Sequence, residues 1–241
     1  MGSSALMSIG MRAMTANYAA LQSTGNNIAN ANTAGYSRQS AQFETAGGQF
    51  TGAGFFGKGV NVSTVARAHD DFLTREAATT RSLAAADEVR STQLQQLERI
   101  FKTGADGLGY AAGELFNAFV DVANKPQDTA SRQVVLARAT DMAARFRSAG
   151  EQIDALQTGV SQELKVAAAS VNSLTQQIAG LNQKIAAAKG TGHIPNDLVD
   201  QRDLAINELS RYVQVNAIPA DDGSVSVFTG PVPFSVASHA L

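Results

Sequence analysis

From Val135 to Ile185 the chain reads VLARATDMAARFRSAGEQIDALQTGVSQELKVAAASVNSLTQQIAGLNQKI. Val135, Ala139, Met142, Phe146, Ala149, Ile153, Leu156 and Val160 recur at alternating steps of four and three, which places them on one face of a helix. Leu164, Ala167, Val171, Leu174, Ile178, Leu181 and Ile185 continue the face after one extra step of four, a stutter that locally unwinds a left-handed coiled coil. Asp128 or Thr129 supplies a start signal, and Gly190 and Gly192 supply a stop. At ~1.5 Å per residue such a helix exceeds roughly 70 Å. The spacing therefore predicts a mainly α fold: an elongated antiparallel helical bundle or coiled coil with a small β excursion, ending at the start of a β-rich outer domain.

Outward from this run, the flanking segments read as its partners. His69 to Lys102 is helical in pattern, with Phe72, Leu83, Leu94, Leu97 and Phe101 as a looser stripe, and Gly104 to Gly109 breaks it. A short helix follows, with Leu115, Phe116, Phe119 and Val122 expected inward, and Pro126 ends it. Beyond the long run, Asn196 or Asp197 reads as the cap of a helix whose inner side is Val199, Arg202, Ile206, Leu209 and Val213. After Pro219, the turn Asp221-Asp222-Gly223 and the residues Val225, Val227 and Phe234 read as strands.

The N-terminus carries a second heptad stripe: Met7, Met11, Met14, Tyr18, Leu21 and Ile28, with Gly25 at the intervening position. A single helix with Gly10 and Gly25 inside it is marginal in water, so the stripe needs a partner. Its other face, with Ser8, Thr15, Asn17, Gln22, Ser23 and Asn26, is nearly uncharged and suits burial better than solvation. From Ser40 to Arg67 the pattern turns Gly-rich and then alternates through Val60, Val62 and Val65, which predicts short strands. The expected organisation is thus 1–39, heptad helix and Asn-rich motif; 40–67, β-like excursion; 68–213, helical bundle; 214–241, the beginning of an outer domain.

Composition narrows the function. The 241 residues include 19 Lys+Arg and 21 Asp+Glu, a formal net charge of −2, with 17% charged residues and no Cys or Trp. Absent cysteine excludes disulfides, thiolate metal sites and cysteine nucleophiles, and the missing basic block argues against nucleic-acid binding. No apolar run reaches the ~18 residues of a membrane span, and MGSSALMSIGMRAM lacks the form of a cleaved signal.

Candidate chemistry is thin. Gly52-Ala53-Gly54-Phe55-Phe56-Gly57 matches GxGxxG, yet a dinucleotide site needs a strand before and a helix after it, and here strand-like sequence follows. His69, His193 and His239 lie in separate segments without metal-ligand spacing. His69-Asp70-Asp71 reads as an acidic helix start, and Asp197, Asp200 and Asp203, with Arg202, as a charged helix face. No catalytic residue, cofactor, metal or small-molecule substrate is expected.

The most distinctive stretch is Asn26-Asn27-Ile28-Ala29-Asn30-Ala31-Asn32-Thr33-Ala34-Gly35-Tyr36-Ser37-Arg38-Gln39. One Asn or Gly suffices for a C-cap, whereas a run of carboxamides, each donor and acceptor, suits the inside of a packed assembly. This stretch resembles the bacterial flagellar axial proteins, whose rod and hook members end an N-terminal heptad helix in an Asn-rich Thr-x-Gly-Tyr motif. Gly57-Lys58-Gly59-Val60-Asn61-Val62 leading to Arg67, the Pro126 to Gln133 stretch, and above all Asn196-Asp197-Leu198-Val199-Asp200-Gln201-Arg202-Asp203 are similar to the hook-associated members at the hook–filament junction.

That resemblance implies a structural, non-enzymatic subunit of the extracellular flagellum, secreted unfolded by type III export for assembly and motility. Met7, Met11, Met14, Tyr18, Leu21 and Ile28 would pack subunits. Asn26, Asn27, Asn30, Asn32, Thr33, Gly35, Tyr36 and Arg38 would form the axial motif, and Asn196, Asp197, Asp200, Arg202 and Asp203 the helical-domain motif. Implied partners are copies of itself in a ring, the hook protein, the second junction protein or filament subunits, and an export chaperone. Nucleic acid and membrane are not among them. Family members continue well beyond this length and close with a heptad helix, so the chain reads as the N-terminal part of a longer protein. The alternatives are another rod or hook subunit, a secreted helical translocator-type protein using its Met-rich stripe on membranes, or a secreted enzyme or ligand-binding module with its site at Gly52 to Gly59.

Overall fold

The computed structural model describes residues 2–52, 54–190 and 194–230. Ala53, Gly192, His193, Phe234, His239 and Leu241 lie outside them, and with them the expected strand around Phe234. The fold is mainly α. Helix α1 spans Gly2–Ala29, and four strands follow: β1 Gln39–Thr45, β2 Gln49–Thr51, β3 Gly54–Phe56 and β4 Val60–Arg67. Then come α2 Asp71–Ile100, a 3₁₀ turn at Gly104–Asp106, α3 Leu108–Asn124, α4 Thr129–Lys189, α5 Asn196–Leu209, and strands β5 Val215–Pro219 and β6 Val225–Thr229. The predicted long helix is α4, one element of 61 residues that runs on through the stutter. Its cap is Asp128. The Ser131 hydroxyl donates to Oδ2 at 2.7 Å and the Ala130 N–H to Oδ1 at 3.1 Å, and these bonds hold the carboxyl below the usual carboxylate range.

Two compact units divide the chain, Met1–Leu83 with Val171–Leu241, and Ala84–Ser170. The division cuts through the segment 68–213 that sequence reading treats as one bundle, because α2 and α4 each contribute to both units. In the first unit the core is Ile178 of α4, Ala205, Ile206 and Leu209 of α5 and Val215 of β5, with Val171, Leu174, Val225 and Val227 packed around it. In the second unit Ala111, Ala118 and Ala149 are the buried apolar residues. Arg145 donates to the carbonyls of Ala105 and Gly107 at 2.8 and 3.4 Å, and Arg138 pairs with Glu114 at 3.0 Å.

Two inward assignments need correction. Phe116 and Phe119 lie on the outer side of α3, while Ala111 and Ala118 face in. The looser stripe Phe72, Leu83, Leu94, Leu97 and Phe101 of α2 and the residue after it is exposed as well, while Ala78 is buried. The small alanines take the buried positions, and these aromatic rings are left exposed among the described residues.

The N-terminal half of the first unit is α1 lying on the β1–β4 hairpin. The helix residues withdrawn from solvent include Ile9, Ala13, Ala16, Ala20, Ser23, Asn27 and Asn30, again spaced by four and three. They sit two positions beyond the Met7 to Ile28 stripe, so α1 carries two seams on opposite sides. β1 and β4 pair antiparallel from Gln39↔Arg67 to Thr45↔Val60, with a register shift that leaves Ser63 unopposed. This bulge moves the alternation by one residue and keeps Val60, Val62, Val65 and Arg67 on the same face.

Candidate functional site

Two features of the first unit stand out: an apolar seam left exposed among the described residues, and a polar junction that ties both sequence motifs together. The seam consists of Met7, Met11, Met14, Tyr18, Leu21 and Ile28, whose exposures run from 65 to 76%. Six large apolar side chains in one line on a helix exceed what a lone surface helix leaves in water. Arg12, on the flank, donates to Asn61 Oδ1 of β4 at 2.6 Å.

The junction begins with Asn27. Its Oδ1 accepts the Tyr36 hydroxyl at 2.8 Å and the Gln39 N–H at 2.8 Å, and its Nδ2 donates to the Gln39 carbonyl at 2.7 Å. Ser23 Oγ donates to the same carbonyl at 2.9 Å. One carboxamide thus clasps the turn that reverses the chain from α1 into β1. Asn30 Nδ2 bonds Asn26 Oδ1 at 3.0 Å, and Thr33 Oγ1 donates to Asn30 Oδ1 at 3.2 Å, which closes the helix end locally. Asn32 and Arg38 are exposed. The carboxamides of Asn27 and Asn30 therefore satisfy groups of their own chain rather than standing free for a neighbour.

α5 docks against this clasp. Asp200, buried at 5% exposure, accepts the Ser37 N–H on Oδ2 at 2.9 Å and Arg67 Nη1 on Oδ1 at 2.7 Å. Arg67 Nη2 reaches Asp203 Oδ2 at 2.6 Å, so one guanidinium at the end of β4 spans two carboxylates one helical turn apart. Asp203 also accepts Arg202 Nη2 at 3.3 Å, and Arg202 Nη1 donates to the Gly223 carbonyl at 2.7 Å. Asp197 Oδ1 accepts Gln39 Nε2 at 3.2 Å and Asn196 Nδ2 donates to the Val65 carbonyl at 2.7 Å. His69 Nε2 lies 3.0 Å from Asp71 Oδ1 and 3.7 Å from Asp203 Oδ2. Burial first, then the nearby charges of Asp197 and Asp200, push the Tyr36 phenol upward, so it stays a protonated donor to Asn27.

One sequence reading fails here. Asn196 and Asp197 do not cap α5, whose N-cap is Pro195 without a side-chain bond; both reach across to the β1–β4 hairpin instead. The charged helix face of the three aspartates is engaged by the hairpin, since Gln39 Nε2 donates to Asp197, the Ser37 N–H and Arg67 to Asp200, and Arg67 to Asp203. The residue that sequence reasoning passed over is Arg67, which it quoted only as the end of a motif. Its signal was a lone cation closing an alternating strand while three acids on another helix had one neighbour to share.

Gly35 shows why the motif needs glycine. Its φ is +80°, and a Cβ there would stand 3.0 Å from Leu204 Cβ of α5. Gly35→Ala is expected to cost about 1–2 kcal/mol for the left-handed backbone alone, read as a lowered thermal midpoint, and a Leu204→Ala partner change should restore little of it, because it removes the Cδ contacts at 3.2 and 3.3 Å but keeps the Cβ at 3.0 Å.

Gly54–Phe56 is strand β3, with β2 before it and β4 rather than a helix after it, so the GxGxxG stretch lacks the geometry of a phosphate cradle. Among the described residues no group of three or more His, Cys, Asp or Glu could hold a metal ion, and no helix is long and apolar enough to cross a membrane.

Two family profiles match the chain. The profile of the family described as "Flagellar hook-associated protein FlgK helical domain" matches residues 94–238, and that described as "Flagella basal body rod protein" matches residues 7–36. The chain is 32% identical over 234 residues to flagellar hook-associated protein 1 of Bacillus subtilis, covering 90% of this chain and 46% of the relative. It is 28% identical over 226 residues to the protein of the same name from Salmonella typhimurium, covering 93% and 41%. The chain thus spans less than half the length of these curated relatives. A solved structure described as the flagellar hook junction protein FlgK from Burkholderia pseudomallei aligns with a TM-score of 0.56 at 31% identity, over 65% of this chain and 27% of that one.

Proposed function

Because the chain belongs to the family of the flagellar hook-associated protein FlgK helical domain, we propose that it is part of a structural subunit at the junction between hook and filament. The observation that carries this reading is the seam Met7, Met11, Met14, Tyr18, Leu21 and Ile28, exposed along one side of α1 while the other side is occupied by the chain's own hairpin. A helix already anchored on one face and apolar on the other is a docking strip for further helices, and each large side chain contributes about 1.5–3 kcal/mol when fully covered. Copies of the same protein, the hook below and the next junction or filament component above are the partners that this reading supplies. The polar junction fixes the angle of that strip relative to α5, and no step of the role calls for catalysis, a cofactor or a membrane. Type III export and an escorting chaperone follow from the flagellar address.

Deleting the gene that encodes this segment tests the reading. The expected cells keep hooks, lose filaments and release unpolymerised filament subunits into the medium. Loss of the hooks themselves would assign the protein to the rod or hook, and normal filaments would refute a junction role.

A further inference from the structure

The β2–β3 hairpin is an aromatic finger. Four of the chain's 11 phenylalanines fall between positions 43 and 56, and within the hairpin Phe50, Phe55 and Phe56 are 66, 79 and 57% exposed. Phe50 and Phe55 are paired across the ribbon with centroids 5.4 Å apart. From Ala46 to Gly57 the finger carries no charged residue. At aromatic areas of 150–250 Å² each, the three rings leave roughly 400 Å² of apolar surface in water, at the level of the largest patches on monomers.

At the base of the same ribbon lies a groove between α1 and β4, lined by Ser8, Met11, Arg12, Val60 and Val62 among others. No phenylalanine of its own finger lines it. The finger leaves the base at Ala46 and Gly59, which share a backbone hydrogen bond of 2.9 Å, and its six outgoing residues reach up to about 20 Å away. Arg12 is held by Asn61 at the groove wall, where its guanidinium can face an aromatic ring.

We propose that the finger of one copy of this chain inserts into the α1–β4 groove of the next. Finger and groove are different surfaces, so the contact is heterologous and must close as a ring or continue as a helix. The rings alone supply about half of the ~800 Å² per partner that a stable pair buries, which suits a contact that is weak singly and firm when every copy gives a finger and receives one. The proposal rests on reading the chain as an assembling subunit, but its test is made in solution and does not depend on where in the flagellum that subunit sits.

The absence of cysteine makes the test clean. Phe55→Cys and Ser8→Cys are placed in separate copies of the chain, mixed and oxidised, with exposed Ala143→Cys as the control partner. The expected result is a Phe55→Cys/Ser8→Cys cross-link forming at least about tenfold faster than the control pair, and falling to the control rate when Phe50→Ser and Phe56→Ser are added, with the circular-dichroism spectrum unchanged. Equal rates for both pairs would overturn the proposal, as would a predominance of Phe55→Cys homodimers, which would mean finger-to-finger packing. Binding of the parent chain to phosphatidylcholine vesicles, lost on Phe→Ser substitution and without the cross-link, would overturn it in favour of lipid.

Discussion

Asp200→Ala is expected to destabilise the first unit by about 3 kcal/mol, the lower end of the range for breaking a buried ion pair. The lower end applies because Arg67, 13% exposed at its side chain, keeps Asp203 at 2.6 Å. Against that, the Ser37 N–H loses its acceptor, and a backbone donor left unpaired in a half-buried turn costs about 1–3 kcal/mol by itself. In a melt followed by circular dichroism the midpoint should fall by about 6–12 °C. Hydrogen exchange should localise the loss, with the Ser37 and Gln39 amides accelerated and those of α3 unchanged. Asp200→Asn, which retains an acceptor oxygen without the charge, should show a smaller fall. A midpoint unmoved by Asp200→Ala would mean that Arg67 and Asp203 hold the junction unaided.

The second large effect leaves folding alone. Leu21→Asp combined with Ile28→Asp changes two side chains that are 70 and 72% exposed, so the isolated chain should keep its melting midpoint and spectrum. Within an assembly the same two changes remove about 3–6 kcal/mol of apolar burial per subunit. They also place two carboxylates where no partner is built for them. Cells producing the full-length protein with both substitutions should be non-motile and lack filaments, by swimming assay and electron microscopy. Filaments at normal number would show that the seam is not a docking strip.

The elements with large, regularly spaced apolar residues were legible from sequence. The 61-residue α4 and the Met7 to Ile28 stripe follow directly from steps of four and three. The second seam of α1 was hidden because it is built of Ile9, Ala13, Ala16, Ala20 and Ser23, side chains too small to stand out against a Met-rich face. The same bias placed Phe116 and Phe119 inward. Pairwise polar contacts were the least legible part. Both motifs were visible as motifs, but nothing local says that Asp200 meets Ser37 across 163 positions, and a cap is the default reading of Asn or Asp at a helix start.

The Asn27 clasp and the Asp200 link differ greatly in the length of chain they enclose. The clasp to Gln39 closes over 12 positions, the bond from Ser37 to Asp200 over 163. Loop-closure entropy grows with the logarithm of that length, so the distant link costs about 2 kcal/mol more to close in an unfolded chain. The α1-to-β1 reversal can therefore form early and locally, while its docking on α5 waits for some of the longest-range contacts in the molecule, which slow folding. A chain delivered N-terminus first holds its docking strip unoriented until residue 203 has arrived.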